Sequence, residues 1–276
     1  MKRSIILGGL VAALAAFSFG TVSAQEGGED ARVRVLHASP DAPAVDIYVE
    51  GAEAVSNLAF GDITGYLDLP AGDYGVEVFP AGAGGEGDAV ISATLTLDAG
   101  TDYTVAAVGL LDSIEPLVLI DDNSAPAEGQ AHVRFVHASP DAPAVDISAA
   151  GAGVVISDVA FQGASDYLPL PAGSYDLDVL VSGTDTAALS VPGVAVEGGN
   201  VYTIFALGLA DGTPELSAKA VLDSTHAAPS APHTGTGMAS DGGNSVSWLA
   251  LMVVAAIGVM GVTAGTIAVR RSAVRS

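Results

Sequence analysis

Residues Val33–Ile47 read VRVLHASPDAPAVDI, and residues Val133–Ile147 read VRFVHASPDAPAVDI, with 13 of the 15 positions identical. Two further blocks repeat in the same order: YLDLPAGDY at 66–74 with YLPLPAGSY at 167–175, and YTVAAVGLLD at 103–112 with YTIFALGLAD at 202–211. The offsets are 99 to 101 residues. The sequence therefore predicts a tandem duplication of a domain of about 95 residues, a size at which we expect each copy to fold alone.

The side-chain pattern within each copy has a period of two. Tyr74, Val76 and Val78 fall on one face of a predicted strand, and Gly75 and Glu77 on the other. Such alternation is typical of a half-buried β-strand. Further strands of copy one are predicted at 33–37, 44–49, 54–60, 64–69, 89–97, 102–109 and 114–120. Short strands at this density predict an all-β fold of two tandem antiparallel β-sandwich domains, either immunoglobulin-like or prealbumin-like.

The two ends of the chain differ in composition from the repeats. Met1–Ala24 has a charged start, a 15-residue apolar stretch and a small-residue cleavage site, which predicts a secretory signal peptide cut between Ala24 and Gln25. An uncleaved anchor is the alternative. Trp248–Val269 contains 22 uncharged residues followed by arginines, which predicts a single transmembrane helix with a cytoplasmic C-terminus and the repeats outside the cell.

The predicted organisation can be given by residue number. It comprises a signal peptide at 1–24, an N-terminal tail at 25–30, β-sandwich domain one at 31–121, a linker at 122–130, β-sandwich domain two at 131–223, a flexible stalk at 224–247, the transmembrane helix at 248–269 and a cytoplasmic tail at 270–276.

The stalk carries a second processing candidate. Residues 231–235 read APHTG, which resembles the L-P-x-T-G signal of sortase substrates, with alanine in the leucine position. The resemblance implies cleavage between Thr234 and Gly235 and attachment to the cell wall. A retained single-pass helix is the alternative, because proline, threonine and glycine are also ordinary components of a flexible stalk.

The three repeated blocks resemble a bacterial and archaeal surface family known as domain-of-unknown-function family 4397. Two copies of that domain would cover about residues 31–224. The resemblance implies an exported, β-rich, tandem module with no defined activity, so it transfers no functional residues.

Composition excludes several classes of function. The chain has no cysteine, which excludes disulfides, thiolate metal sites and a cysteine nucleophile. Its net charge of −23 argues against a nucleic-acid partner, since phosphate binding needs clustered lysine and arginine. The acidic exterior either attracts cations or simply keeps the protein soluble.

The repeated HASPDAP segment contains groups that could carry chemistry. His37, Ser39 and Asp41 lie within five residues, but a catalytic triad normally assembles side chains from separate elements, so we predict no catalytic residues. The metal candidates are calcium ligands from Asp41 and Asp46 and from Asp141 and Asp146. No D-x-D-x-D-G loop supports them, and we expect neither a metal ion nor another cofactor.

The sequence thus predicts a non-enzymatic, membrane-anchored cell-surface protein for display, adhesion or envelope structure. Its partners would be the membrane, through the C-terminal helix, and an unidentified extracellular protein or glycan. The alternative is an extracytoplasmic ligand- or cation-binding sensor module.

Overall fold

The computed structural model of the protein describes residues 29–226. The predicted signal peptide, transmembrane helix, cytoplasmic tail and nearly all of the stalk lie outside these residues. Within 29–226, no helix is long and apolar enough to cross a membrane.

Copy one contains eight strands that form two four-stranded sheets. The strands are β1 (Ala31–His37), β2 (Val45–Val49), β3 (Ala52–Leu58), β4 (Leu67–Leu69), β5 (Gly72–Pro80), β6 (Ile91–Leu97), β7 (Asp102–Val108) and β8 (Glu115–Asp121), with a 3-10 turn at Leu111–Ser113. One sheet has the order β4-β1-β7-β8 and the other β3-β2-β5-β6. The predicted strands of copy one are thereby confirmed, with shifts of one to three residues at most ends.

Copy two repeats this arrangement strand for strand. Its strands are β9 (Gln130–His137), β10 (Val145–Ala149), β11 (Gly153–Val159), β12 (Leu168–Pro171), β13 (Gly173–Val181), β14 (Ala187–Val196), β15 (Asn200–Leu207) and β16 (Ser217–Thr225). The sheets have the orders β12-β9-β15-β16 and β11-β10-β13-β14. The prediction of two tandem all-β units is therefore confirmed at the level of the sheets.

The prediction of purely antiparallel sheets is wrong for one pair in each copy. β1 pairs with β7 in parallel, and β9 pairs with β15 in parallel, whereas the other strand pairs are antiparallel. Two parallel strands need a long connection between them. Here that connection runs from β2 to β6 and includes all four strands of the second sheet. The period-two pattern does not encode the direction of the partner strand.

The repeated blocks form close local structures. Gly109, at the end of the YT-x-x-A-x-G block, has φ of 94°, and a Cβ there would lie 2.7 Å from the carbonyl oxygen of Ser113. Only glycine fits both constraints. In the LPAG-x-Y blocks, the hydroxyls of Tyr74 and Tyr175 donate back to the carbonyls of Pro70 and Pro171, at 2.8 and 2.7 Å.

The two copies share a hydrophobic core. The outer faces of the β4-β1-β7-β8 sheet and the β12-β9-β15-β16 sheet pack against each other through one cluster of buried residues from both copies. Its members are Leu36, Ala38, Ala106, Val108, Leu119, Val136, Ala138, Phe205, Leu207 and Val221. Since these side chains would be exposed in a separated copy, the structure differs from the expected pair of independent domains. We call this contact the inter-copy interface.

A fragment of a single copy tests this difference. We expect residues 29–124 alone to be dimeric or insoluble, because the apolar face around Leu36 and Leu119 would be open to water. Residues 29–226 should be monomeric and soluble. Analytical ultracentrifugation of both fragments is the measurement, and a soluble monomer with a cooperative melt from residues 29–124 would contradict the shared core.

Candidate functional site

The repeated histidine is the last residue of β1 and of β9, where the HASPDAP segment begins, and it is fully buried in both copies. The Nε2 of His37 is 2.9 Å from the carbonyl oxygen of Pro43, and its Nδ1 accepts a hydrogen bond from the backbone N–H of Ser39 at 3.3 Å. His137 repeats both contacts with Pro143 and Ser139, at 3.0 and 3.3 Å. These contacts define one neutral tautomer, with the proton on Nε2. Burial lowers the pKa of both histidines.

The neighbouring side chains of His37, Ser39 and Asp41 do not form a triad-like chain of hydrogen bonds. The Ser39 hydroxyl points towards Asp41, at 3.5 Å, while the His37 ring bonds to backbone groups only. His37 therefore positions the loop rather than a nucleophile.

Asp41 and Asp141 connect the HASPDAP loop to the segment that follows the central parallel strand. Asp41 Oδ1 accepts from the backbone N–H of Leu111 at 2.8 Å. The two oxygens of Asp141 accept from Ala210 and Asp211, at 2.7 and 3.0 Å. Burial alone would raise the pKa of Asp141, but these backbone donors outweigh burial and lower it.

Asp46 and Asp146 each stabilise a bulge in the neighbouring edge strand. Asp46 accepts from the backbone N–H groups of Asn57 and Gly82, at 2.7 and 2.8 Å. Asp146 accepts in the same way from Asp158 and Gly183, at 2.7 and 3.0 Å, which lowers its pKa. The bulge is where the register between β2 and β3 shifts, and Asn57 there has φ of 52°. The aspartate of the AVDI block therefore serves the backbone.

The four calcium candidates thus bind backbone N–H groups at two separate places in each copy. In the part of the chain that the structure describes, no group of three or more His, Asp or Glu side chains is arranged to hold a metal ion. The processing candidates Ala24, Gln25, Thr234 and Gly235 lie outside the described residues.

A buried network of charged and polar side chains crosses the inter-copy interface. Arg34 of copy one donates to Asp223 of copy two at 2.7 Å, and Arg134 of copy two donates to Asp121 of copy one at 2.5 Å. All four side chains are at most 4% exposed. Because each copy gives one arginine and one aspartate to the other, the contact has the reciprocal form of a two-fold symmetric dimer interface.

Hydroxyl groups complete the coordination of each aspartate. Asp121 Oδ2 accepts from Thr104 and Tyr66 of its own copy, at 2.5 and 2.6 Å. Asp223 accepts from the equivalent residues Thr203 and Tyr167, at 2.5 and 3.1 Å. The network therefore satisfies the buried charges with neutral donors as well as with arginine.

Each arginine also stacks on a tyrosine of its own copy. The Cζ of Arg34 lies 4.7 Å from the ring centre of Tyr66, and that of Arg134 lies 4.6 Å from the ring centre of Tyr167. Burial raises the pKa of both tyrosines, so they remain protonated donors. Burial would lower the pKa of Arg34, but Asp223 and Asp121 outweigh it, and the arginine stays charged.

Sequence reasoning missed this network. Its signal was present: Arg34 and Arg134 occupy equivalent positions inside apolar strands, in a region that holds only two other basic residues, Arg32 and Lys219. The partners Asp121 and Asp223 also lie near the ends of equivalent strands, Asp121 as the last residue of β8 and Asp223 two residues before the end of β16.

An apolar cavity lies between the two sheets of copy one. Its volume is about 150 Å³, and its lining comes from all eight strands. The matching space in copy two is about 20 Å³. Sequence reasoning did not predict this difference between the copies.

A family model matches the chain twice, over residues 31–148 and 148–233, and its description is "Domain of unknown function (DUF4397)". The chain belongs to this family. The resemblance drawn from the repeated HASPDAPAVDI blocks is thereby confirmed, with two tandem copies of the DUF4397 domain. No curated protein matches the chain.

Two solved structures that are similar to this DUF4397 protein are distant from it in sequence. The Bacillus anthracis TIE protein has 13% identity and a TM-score of 0.21, with 67% of this chain and 34% of that chain covered. The chain thus spans about a third of that protein's length. A CBM26 module from Eubacterium rectale Amy13K, solved with maltoheptaose, has 12% identity and a TM-score of 0.21, with 72% and 98% covered. Scores at this level carry no argument about fold or ligand.

The buried histidines predict a pH dependence. The unfolded chain binds protons at an ordinary histidine pKa of about 6.5, and the folded chain binds them only at lower pH. The free energy of unfolding should therefore be greatest above about pH 6.5 and should fall as the pH drops through the lowered pKa values of His37 and His137. NMR titration of the imidazoles and urea melts at pH 7.5 and 5.5 test this. Titration of both rings at the ordinary pKa would contradict it.

The inter-copy network predicts a large effect of a single truncation. Arg34→Ala leaves Asp223 buried without its cation and should lower the free energy of unfolding by about 3–5 kcal/mol. The matched control is Arg32→Ala, since Arg32 pairs with Asp102 with its own side chain 45% exposed, and it should lower that free energy by about 1 kcal/mol or less. Equal effects of the two variants in urea melts would show that burial does not increase the contribution of the ion pair to the free energy of unfolding.

Proposed function

We propose that the protein is a non-enzymatic, membrane-anchored surface protein in which the two DUF4397 copies act as one rigid body for display, adhesion or envelope structure. The observation that carries the proposal is the inter-copy interface. Two sheets packed face to face, with four buried charged residues between them, favour a fixed arrangement over two mobile units.

The use of the repeated polar residues supports the same role. His37 and Asp41, Asp46 and their counterparts in copy two bind backbone groups of their own copy. Groups held in this way stabilise loops and are not presented to a substrate. A scaffold that is stiff and acidic suits display away from a cell surface.

The proposed placement is extracellular, through a signal peptide cleaved between Ala24 and Gln25 and a retained helix at 248–269. Sortase attachment through Thr234 is the alternative. For the sandwich type, the strand order favours the prealbumin-like alternative. An immunoglobulin-like domain would place its first, second, fourth and fifth strands in one sheet, whereas β1 and β2 here lie in different sheets.

Placement and anchoring can be tested together on intact cells that express the full chain. We expect external protease to release fragments of residues 25–247, and alkaline carbonate to leave the undigested protein in the membrane fraction. The control is Thr234→Ala, which should change neither result if the helix is retained. Protection of the chain from external protease would contradict display, and a C-terminal peptide that ends at Thr234 with an added amine would contradict the retained helix.

The role in adhesion or envelope structure needs a separate measurement. We expect soluble residues 25–226 immobilised on beads to retain an envelope protein or glycan from extracts. The matched variant is Arg34→Ala, which weakens the inter-copy interface and should retain less of the partner if the fixed arrangement of the two copies forms the binding surface. Retention that is equal for a bead-bound unrelated acidic protein would contradict a specific partner.

A further inference from the structure

We propose that copy one binds a single linear alkyl chain, such as a lipid tail, in the cavity between its two sheets, and that the head group of this ligand is uncharged. This inference is independent of the display role, because it concerns the interior of one copy.

The cavity arises from smaller residues at equivalent positions of the two copies. Val35 on β1 pairs in register with Val105 on β7, and the equivalent pair in copy two is Phe135 with Ile204. In the opposite sheet, Val76 pairs with Ala93, and the equivalent pair is Leu177 with Val191. All four positions are smaller in copy one.

The cores reflect this difference. The core of copy two is one cluster, in which Phe135, Val191 and Ile204 are buried. The core of copy one is divided into two clusters, one around Ile47 and Val78 and the other around Val33 and Leu97. The cavity therefore separates two halves of a core that would otherwise be continuous.

The lining determines the chemical class of the ligand. It is almost entirely aliphatic. Of its three polar side chains, the His37 ring is bonded to backbone groups, the Tyr74 hydroxyl is bonded to Pro70, and Thr94 is exposed to water. An apolar cavity of about 150 Å³ is large enough for a six-carbon ligand such as benzene, and it stays dry when empty. The ligand must therefore be a hydrocarbon group without buried polar atoms.

The shape of the cavity favours a chain over a ring. Along β1 the lining extends from Val33 to His37, which is about 13 Å at the rise of a strand. A volume of this size spread over such a length is narrow. The lining also reaches the surface, since Leu67 on β4 and Val118 on β8 belong to it and are 43% and 44% exposed. A chain can therefore enter with its head group left in water.

Within residues 31–121, no unpaired arginine or lysine is available to bind an anionic head group. The basic side chains of copy one are Arg32 and Arg34, and both are paired with aspartates. The charge of a fatty-acid carboxylate would find no free cation to compensate it there, whereas an uncharged head group needs no opposite charge.

The test uses the full chain in cell membranes and decanol that carries a photoreactive diazirine in its chain. After irradiation and digestion, mass spectrometry locates the labelled peptides. We expect label in residues 31–121 at least tenfold above that in residues 130–225, which serve as the control within the same molecule. Equal labelling of the two copies, or labelling of neither, would overturn the proposal.

Variants that exchange residues between the copies test the cavity itself. Val35→Phe should reduce the labelling of copy one at least tenfold and raise Tm by about 2–4 °C, because it fills space that the equivalent Phe135 fills in copy two. Ala93→Val is a smaller change that should reduce labelling if Val35→Phe fails to fold. Phe135→Val should introduce labelling in copy two. Unchanged labelling in folded Val35→Phe or Ala93→Val protein would overturn the proposal.

Discussion

The reciprocal pairing of Arg34 with Asp223 and of Arg134 with Asp121 is the constraint on which the arrangement of the two copies depends. Each ion pair joins one copy to the other, and neither can form within a single copy at these positions. Since the four side chains are buried, separating the copies would remove the charged partners of Arg134 and Asp223. It would leave Arg34 and Asp121 only their longer contact of 3.6 Å within copy one, on an exposed apolar sheet. The network therefore holds the two copies in one fixed relative position.

A buried ion pair is weak evidence for stability, because desolvation of the charges offsets their attraction. Its clearer role is to select one geometry among many apolar contacts. The inter-copy interface has both components: an apolar cluster that drives association and a polar network that permits one alignment. The duplicated gene product thus resembles a symmetric dimer whose subunits have been joined through a short linker.

The fold of each copy was largely predictable, since the strands alternate apolar and polar residues and end at Gly, Pro and Asp clusters. The parallel β1–β7 pair was not, because side-chain alternation does not record partner direction. The interface was missed because an arginine at position 34 is normal for a water-facing side of a strand. The run YTVAAVGLL, apolar on both faces, was the available sign that this sheet is buried on both sides.

Some features of the candidate site could likewise be predicted from the sequence, and others could not. The histidine and aspartate positions were recognised from the repeat, but whether Asp46 binds a cation or a backbone N–H depends on the position of the β3 bulge, which the sequence does not reveal. The cavity depends on differences such as Val35 against Phe135, which are ordinary apolar exchanges until the two cores are compared in three dimensions.

Differential scanning calorimetry of residues 29–226 tests the central claim most directly. If the inter-copy network and its apolar cluster make the two copies one cooperative unit, the protein should unfold in a single transition whose calorimetric and van't Hoff enthalpies agree. Two resolved transitions, or a calorimetric enthalpy about twice the van't Hoff value, would show that the copies unfold separately and would contradict the account.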